Sequence, residues 1–261
     1  MDTWETKEEN KVLVSDFHNS FVICRVKKES TNAECRVIYT ANKREMEIFI
    51  AILGVNVSVY EPEVKSEEIM DWLKDKTYKD ILPNVKLTGR ENEDVMKCFD
   101  KIGIHPMIQQ KLESGIYKNK LDNKYVHKIS ENNVMLSDFV EIGETGLLHL
   151  NVFYETDEIV LDHCAEDHVE AILLTEICRQ AGIVAASVKQ DPTRAFIIVK
   201  EERAYKKFVK RNAPAVIQIL CVAPKVGAGY CVFSLIQEGT CCMKGCLVGR
   251  SFPNKQVYIE K

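Results

Sequence analysis

Residues 162–185 read DHCAEDHVEAILLTEICRQAGIVA and decide the fold of the second half of the chain. An acidic, His-containing segment leads into a long apolar helix, predicted over about 168–189, that carries Glu176, Arg179 and Gln180 among aliphatic neighbours. Ionisable side chains inside a helix that otherwise looks buried cost free energy unless they are paired or used in chemistry. This helix is therefore the first place to look for a functional site.

Composition and charge argue against several classes of protein. The 261 residues are 46% apolar and 28% charged, with a net charge of −4, which is ordinary for a soluble globular protein. This charge gives no overall footprint for nucleic acid, and no apolar run reaches the ~20 residues that a membrane helix needs. The acidic N-terminal sequence MDTWETKEENK has neither a secretory nor a transit pattern. We therefore expect a cytoplasmic protein without nucleic-acid or membrane partners.

Ten cysteines invite a disulfide or metal interpretation, but their spacing does not support one. Most are scattered through apolar runs, and the cluster CCMKGC at 241–246 contains no CxxC pair and has no partner cluster. Reduced, buried thiols are the expected state in a cytosolic protein. We predict neither a metal site nor a bound cofactor.

Two regions differ in their pattern of predicted elements. Residues 1–118 alternate strand-like runs with helical ones, which predicts a small α/β Rossmann-like domain. A Lys/Asn-rich stretch then leads into residues 119–261, where one strong helix accompanies five or six antiparallel strands. This second domain predicts a curved antiparallel sheet wrapped around a central helix, so the chain as a whole belongs to the α+β class.

Two motifs in the second domain resemble the A-factor biosynthesis hotdog family, the γ-butyrolactone synthases. VHKISENNVMLSDF (126–139) matches the family's first-strand pattern, and DHVEAILLTEICRQAG (167–182) matches the pattern on its helix. The resemblance implies a hotdog fold and transfer of a β-ketoacyl group from acyl carrier protein or coenzyme A (CoA). The implied acceptor is a small hydroxylated or phosphorylated molecule such as dihydroxyacetone phosphate. Because a lone hotdog needs a second copy to cover its sheet edge, we expect a homodimer.

The candidate catalytic residues are Glu176, Arg179, Gln180 and His168. In an apolar setting the pKa of Glu176 is expected to rise toward neutrality, which suits a general base. Arg179 either binds an anion or pairs with Glu176 at i,i+3. A helix N-terminus near His168 would offer backbone N–H groups to a thioester carbonyl. A purely structural ion pair, and a capping or packing role for His168, remain alternatives.

Four further residues complete the candidate substrate site: His127 and Asp138 from the first-strand motif, and His163 and Asp167 from the acidic segment before the helix. Asp138 is alternatively an anchor for its strand, and His163 a structural or solvated residue. The Lys/Arg cluster at 200–211 is either a contact for the phosphates of pantetheine or CoA, or a solvated face.

Other functions remain open. Asp16 follows a predicted first strand, where haloacid-dehalogenase-like phosphatases place their nucleophile, but His18 replaces the second Asp of that motif. A non-catalytic docking or dimerisation role therefore suits the N-terminal domain better. For the second domain, the alternatives to acyl transfer are hydration or dehydration, thioester hydrolysis, and non-catalytic ligand binding or scaffolding.

Overall fold

The computed structural model describes the second half of the chain almost completely and the first half in short stretches. The described residues are 12–13, 21–24, 36–39, 58–60, 97–100, 119–141, 147–162, 165–189, 195–225 and 228–252. Asp16 and His163 lie outside them, as do the helices predicted for residues 1–118, apart from a helical segment at 97–100. The Rossmann-like domain therefore stays a prediction.

Ten strands and one long helix are described. The strands are β1 (Val12–Leu13), β2 (Phe21–Cys24), β3 (Arg36–Tyr39), β4 (Ser58–Tyr60), β5 (Leu136–Glu141), β6 (Leu147–Val152), β7 (Ala195–Tyr205), β8 (Ala215–Lys225), β9 (Ala228–Gln237) and β10 (Thr240–Phe252). Seven of them form one sheet in the order β1-β5-β6-β8-β9-β10-β7, antiparallel throughout except for the short parallel pair of β1 and β5. With the helix this is the hotdog arrangement expected from the sequence.

Helix α1 (Ala171–Lys189) lies against one face of the sheet. Alternate residues along each strand point to one face, and those facing α1 form the core with it: Leu148 and Leu150 on β6, Ile217 and Ile219 on β8, and Phe233 and Leu235 on β9. The helix is long and apolar enough by composition to cross a membrane, but most of it is buried inside the protein. Its apolar character therefore suits a core helix.

The helix begins slightly later than the sequence predicted. Val169 donates its amide to the carbonyl of Val209 at 2.8 Å, and His168 forms a β-bridge with Lys210. The first helical hydrogen bonds run to the carbonyl of Glu170. The predicted start at 168 was wrong because these residues pair with the loop after β7 instead.

The opposite face of the sheet is also buried. Leu147, Leu220 and Val232 are cross-strand neighbours on that face, and all are essentially inaccessible to solvent. The helical segment at 97–100 contacts the sheet through an ion pair between Asp100 and Lys244 on β10. Unlike a sheet with one solvated face, this one is buried on both sides, and buried polar side chains (His149, Gln218 and Ser234) lie among the apolar ones on the outer face.

Two local features shape β10. Glu238 and Gly239 form a two-residue turn with φ of 50° and 69°, the left-handed pair that a type I′ hairpin requires. Strands β9 and β10 are thus joined by a tight hairpin turn. Further on, Cys242 lies at a register shift, and its carbonyl accepts the amides of Lys206 and Lys207.

The remaining strands form a separate parallel sheet. Strand β2 lies between β3 and β4. Strand β1, which precedes Asp16, does not join them, because Val12 pairs with Val140 of the hotdog sheet.

Candidate functional site

The candidate site begins at the turns that precede β5. A 3₁₀ turn (Asn123–Val126) ends at His127, whose φ of 56° is left-handed and whose amide bonds back into the turn. The side chain of His127 is exposed, whereas that of the next residue, Lys128, is only 7% exposed. The turn therefore brings a lysine ammonium close to the helix.

Gln180 joins helix α1 to this region. Its Oε1 accepts the amide of Met135 at 2.9 Å, and its Nε2 donates to the carbonyl of Asn133 at 2.8 Å. The side chain is fully buried, so it satisfies two backbone groups that would otherwise be unpaired. Gln180 thus holds the residues before β5 against the helix.

Glu176 is the most heavily hydrogen-bonded side chain of the site. Its Oε1 accepts Lys128 Nζ at 2.8 Å, Arg179 Nη2 at 2.7 Å and Gln180 Nε2 at 2.9 Å. Its Oε2 accepts Arg179 Nε at 2.7 Å. Four donors surround a carboxylate that is 13% exposed, so its charge is compensated on every side.

The predicted direction of the Glu176 pKa was wrong. Burial acts to raise the pKa of this carboxyl, but hydrogen bonds from Arg179, Lys128 and Gln180 outweigh it and lower the pKa to about 2. The ion pair with Arg179, left open as an alternative from the sequence, is present, and Lys128 adds a second cation that the sequence did not indicate. In this state Glu176 is an ionised anchor for two cations and a poor proton acceptor at neutral pH.

The segment after β6 closes over the same site. Glu158 forms an ion pair with Lys128. Asn133 Oδ1 accepts Thr156 Oγ1 at 3.2 Å and the amide of Asp157 at 3.0 Å. Residues 156–158 are therefore fastened to the turns before β5.

His168 and Asp167 form a separate pair at the start of the helix. His168 Nδ1 lies 2.7 Å from Asp167 Oδ1, and this hydrogen bond lowers the pKa of the Asp167 carboxyl. The His168 ring lies against Phe208, with 5.2 Å between ring centroids. The contacts described for this pair involve none of the partners of Glu176, so the predicted catalytic residues fall into two groups.

Asp138 lies at an irregularity in β5. The register with β6 shifts between Leu136 and Phe139, and Ser137 uses its hydroxyl to accept the amide of Asn151 and donate to the Asp138 carbonyl. Burial raises the pKa of the Asp138 carboxyl. Its proposed part in substrate binding stays a prediction.

A comparison with protein families shows which family this domain belongs to. The family model of AfsA, the A-factor biosynthesis hotdog domain, matches residues 113–245, about half of the chain. The protein belongs to the A-factor biosynthesis hotdog family. The resemblance that the two sequence motifs indicated is thereby confirmed.

The other two comparisons give more distant results. No curated protein matches the sequence. Among solved structures, the chain is similar to a hypothetical thioesterase from Streptococcus pneumoniae TIGR4 with coenzyme A (14% identity, TM-score 0.33, covering 41% of this chain and 79% of that one). It is also similar to a thioesterase from Haemophilus influenzae (9%, 0.37, 44% and 77%) and to a Streptococcus mutans UA159 protein bound to acetyl CoA (13%, 0.33, 41% and 82%).

Three residues of the candidate site were not assigned a role from the sequence. Lys128 and Asn133 both lie in the first-strand motif, but nothing in the motif shows that the lysine ammonium reaches Glu176. Glu158 had no local signal at all. Among the described residues, no group of three His, Cys, Asp or Glu side chains is placed to hold a metal ion.

The site can therefore bind and orient an anion more readily than it can remove a proton. Arg179 uses Nε and Nη2 for Glu176, and none of its described contacts uses Nη1. Its side chain is 35% exposed, so these remaining donors are open to a ligand. Guanidinium groups held in this way suit phosphate and carboxylate oxygens.

Proposed function

We propose that this protein transfers an acyl group, a β-ketoacyl group in the first instance, from a thioester to the hydroxyl of a small acceptor. Carrier protein or CoA would supply the thioester, and dihydroxyacetone phosphate is the acceptor class to test first. Family membership supports acyl-thioester processing, and the observation that carries the acceptor class is the anchored guanidinium of Arg179, with Nη1 left for a phosphate.

In the proposed reaction the acceptor hydroxyl oxygen attacks the thioester carbonyl carbon. The carbon–sulfur bond breaks, an ester forms, and the hydroxyl proton ends on the departing thiol. Donors near the substrate oxygens stabilise the charge that develops during this step. Glu176 contributes by holding Arg179 and Lys128 in fixed positions, and Gln180 contributes by fixing the helix to the residues before β5.

Mass spectrometry of the products tests this proposal. The full-length protein is incubated with β-ketoacyl thioesters with and without dihydroxyacetone phosphate, and with enoyl thioesters alone. An acyl ester that forms only with the acceptor supports transfer. Free acid without acceptor would identify a thioesterase, and a hydrated enoyl product a hydratase. Thioester binding without turnover would identify a non-catalytic binding protein.

Arg179→Gln is the informative variant, because it removes the anion-binding donors while keeping a polar side chain. We expect KM for the phosphorylated acceptor to rise at least about tenfold, the equivalent of ~1.4 kcal/mol. Arg250→Gln makes the same substitution at an exposed arginine of β10 outside the site, so it is the matched control and should leave KM unchanged. An unchanged KM in Arg179→Gln would contradict the proposed acceptor site.

We also propose that the protein acts as a homodimer. Strand β7 is eleven residues long, and in the described sheet it pairs with β10 alone. A long strand with one edge unpaired among the described residues is a candidate for pairing with another chain, and two-fold symmetry would place two β7 strands side by side.

A further inference from the structure

A polar cluster lies between edge strand β7 and helix α1. Glu201 is the cross-strand neighbour of Leu247, whose side chain belongs to the core beneath the helix. Because cross-strand neighbours project to the same face of a sheet, Glu201 points to the helix face. Arg203 and Tyr205, two and four residues further along β7, share that face. Three polar side chains of this strand are thus directed toward α1.

Arg203 is fastened to the first turns of α1. Its Nη1 donates to the hydroxyl of Thr175 and to the carbonyl of Ala171, the latter at 3.4 Å. The same nitrogen donates to the Tyr205 hydroxyl at 3.1 Å, and Nε lies 2.9 Å from Glu201 Oε1. The guanidinium therefore holds the Glu201 carboxyl beside the helix.

Glu201 differs from Glu176 in how its charge is compensated. Its Oε1 is inaccessible to solvent and accepts no hydrogen bond from the described residues, although Arg203 forms an ion pair with it. Burial raises the pKa of Glu201, and the charge of Arg203 opposes this rise without cancelling it. Burial also raises the pKa values of Cys178 and Tyr205, so both are neutral near pH 7. Opposite pKa shifts of two carboxyl groups at one site are typical of a division between acid–base and structural roles.

A partly exposed stripe of α1 connects this cluster to Arg179. Thr175 and Arg179 are four residues apart, so they are neighbours on one helix face, about 6 Å apart along the axis. Ile172 lies on the same face and is 52% exposed, and Arg179 is 35% exposed. A small acceptor whose phosphate binds Arg179 can therefore extend along this stripe toward Thr175 and Glu201.

We propose that Glu201 is the general base of the acyl transfer. This inference rests on the proposed function, because it supplies the proton acceptor that the fully hydrogen-bonded Glu176 does not provide. The Glu201 carboxylate removes the proton of the acceptor hydroxyl as the hydroxyl oxygen attacks the thioester carbonyl carbon. The carbon–sulfur bond then breaks, and Glu201 returns the proton to the departing thiolate. Arg203 is a positioning residue, because it holds the carboxyl against α1.

Glu201→Gln tests this role in the full-length protein, and Glu202→Gln is the matched control. Glu202 is the next residue of β7, on the opposite face of the strand, and its side chain is 61% exposed. We expect Glu201→Gln to lower kcat at least about 100-fold with KM for donor and acceptor unchanged. Glu202→Gln should match the wild type. The wild-type kcat/KM should fall in acid as Glu201 becomes protonated, and Glu201→Gln should lack this acidic limb.

Urea denaturation separates a catalytic role from a structural one. A carboxyl whose pKa rises on folding makes the folded state less stable at pH 7 than a neutral side chain would. The urea midpoint of Glu201→Gln at pH 7 should therefore at least equal that of the wild type. A variant that loses stability together with activity would identify Glu201 as a structural partner of Arg203 and overturn the proposal.

The remaining outcomes distinguish this inference from the proposed function. If the wild type transfers the acyl group and Glu201→Gln does so with a similar kcat, only the assignment of the base is wrong. Equal losses of kcat in Glu201→Gln and Glu202→Gln would also overturn that assignment, because Glu202 lies on the other face of β7. If the wild type forms no ester with any acceptor, the proposed function fails and the base assignment fails with it.

Discussion

The ammonium of Lys128 lies 2.8 Å from Oε1 of Glu176, and both side chains are largely buried. This ion pair joins the turn before β5 to the middle of helix α1. Together with Arg179 it makes Glu176 one member of a compensated charge network, in place of the general base with a raised pKa that the sequence favoured. The stability and the pH dependence of the protein should both reflect that change.

Removing the ammonium should destabilise the fold. Lys128→Met keeps most of the aliphatic stem but leaves the Glu176 carboxylate with one donor fewer. We expect the free energy of unfolding to fall by roughly 1–3 kcal/mol, measured by urea denaturation. Glu158→Gln removes only the outer, half-exposed partner of Lys128 and should cost less than about 1 kcal/mol. Equal losses of stability in the two variants would show that the buried Lys128–Glu176 pair contributes no more than the outer Lys128–Glu158 pair.

The low pKa of Glu176 predicts a particular loss of stability in acid. A carboxyl whose pKa falls from 4.5 to about 2 on folding stabilises the native state above pH 4.5, and this contribution is lost as the pH falls toward 2. The full difference is on the order of 3 kcal/mol. Glu176→Gln should therefore flatten the decline in urea midpoint between pH 6 and pH 3. Parallel declines in wild type and variant would contradict the prediction.

Gly245 should tolerate no side chain. A Cβ at this position in β10 would lie 2.1 Å from the backbone carbonyl oxygen of Glu202 and 2.7 Å from the ring of Phe233. Because a neighbouring strand has to move, Gly245→Ala should lower the free energy of unfolding by roughly 1–3 kcal/mol or more. Gly239 faces open space in the hairpin turn, and Asn accepts its left-handed backbone. Gly239→Asn should therefore keep a free energy of unfolding close to that of the wild type. Thermal denaturation of both variants and the wild type measures the difference.

The edge of β7 that has no partner strand among the described residues predicts the oligomeric state. Light scattering should give about twice the chain mass of 29.8 kDa. Val199 is half-exposed on β7, and Val199→Lys should shift the protein toward the monomer, because charge on an edge strand opposes pairing. Val160 is an exposed valine outside the strands, so Val160→Lys should remain dimeric. A wild-type monomer would refute the proposed edge pairing.

Much of the hotdog was predictable from local pattern. The apolar helix and the alternating strands identified the architecture, and helical spacing placed Glu176 beside Arg179 and Gln180. The family motif also contained Lys128 and Asn133, although only the folded chain shows what they contact. These elements are determined by short-range periodicity, which a sequence carries directly.

The chemistry of the site was less predictable, because it depends on contacts between distant segments. The pKa of Glu176 is lowered by Arg179 on the same helix and also by Lys128, which comes from a turn that precedes β5. His168, only eight positions from Glu176 in sequence, pairs with the loop after β7 instead. Likewise, the first predicted strand pairs with β5, an outcome that depends on which sheet edge is open.

The hotdog sheet is buried on both faces, and this bears on how the chain can be shortened. A chain begun at residue 119 would lose Asp100, the partner of Lys244, and would lack whatever precedes it. Lys244 would then lose its described carboxylate partner, and such a fragment should be less stable than the full chain. The segment that contains Asp100 is therefore part of what holds this hotdog sheet together, and the stability of a chain that begins at residue 119 would measure its contribution.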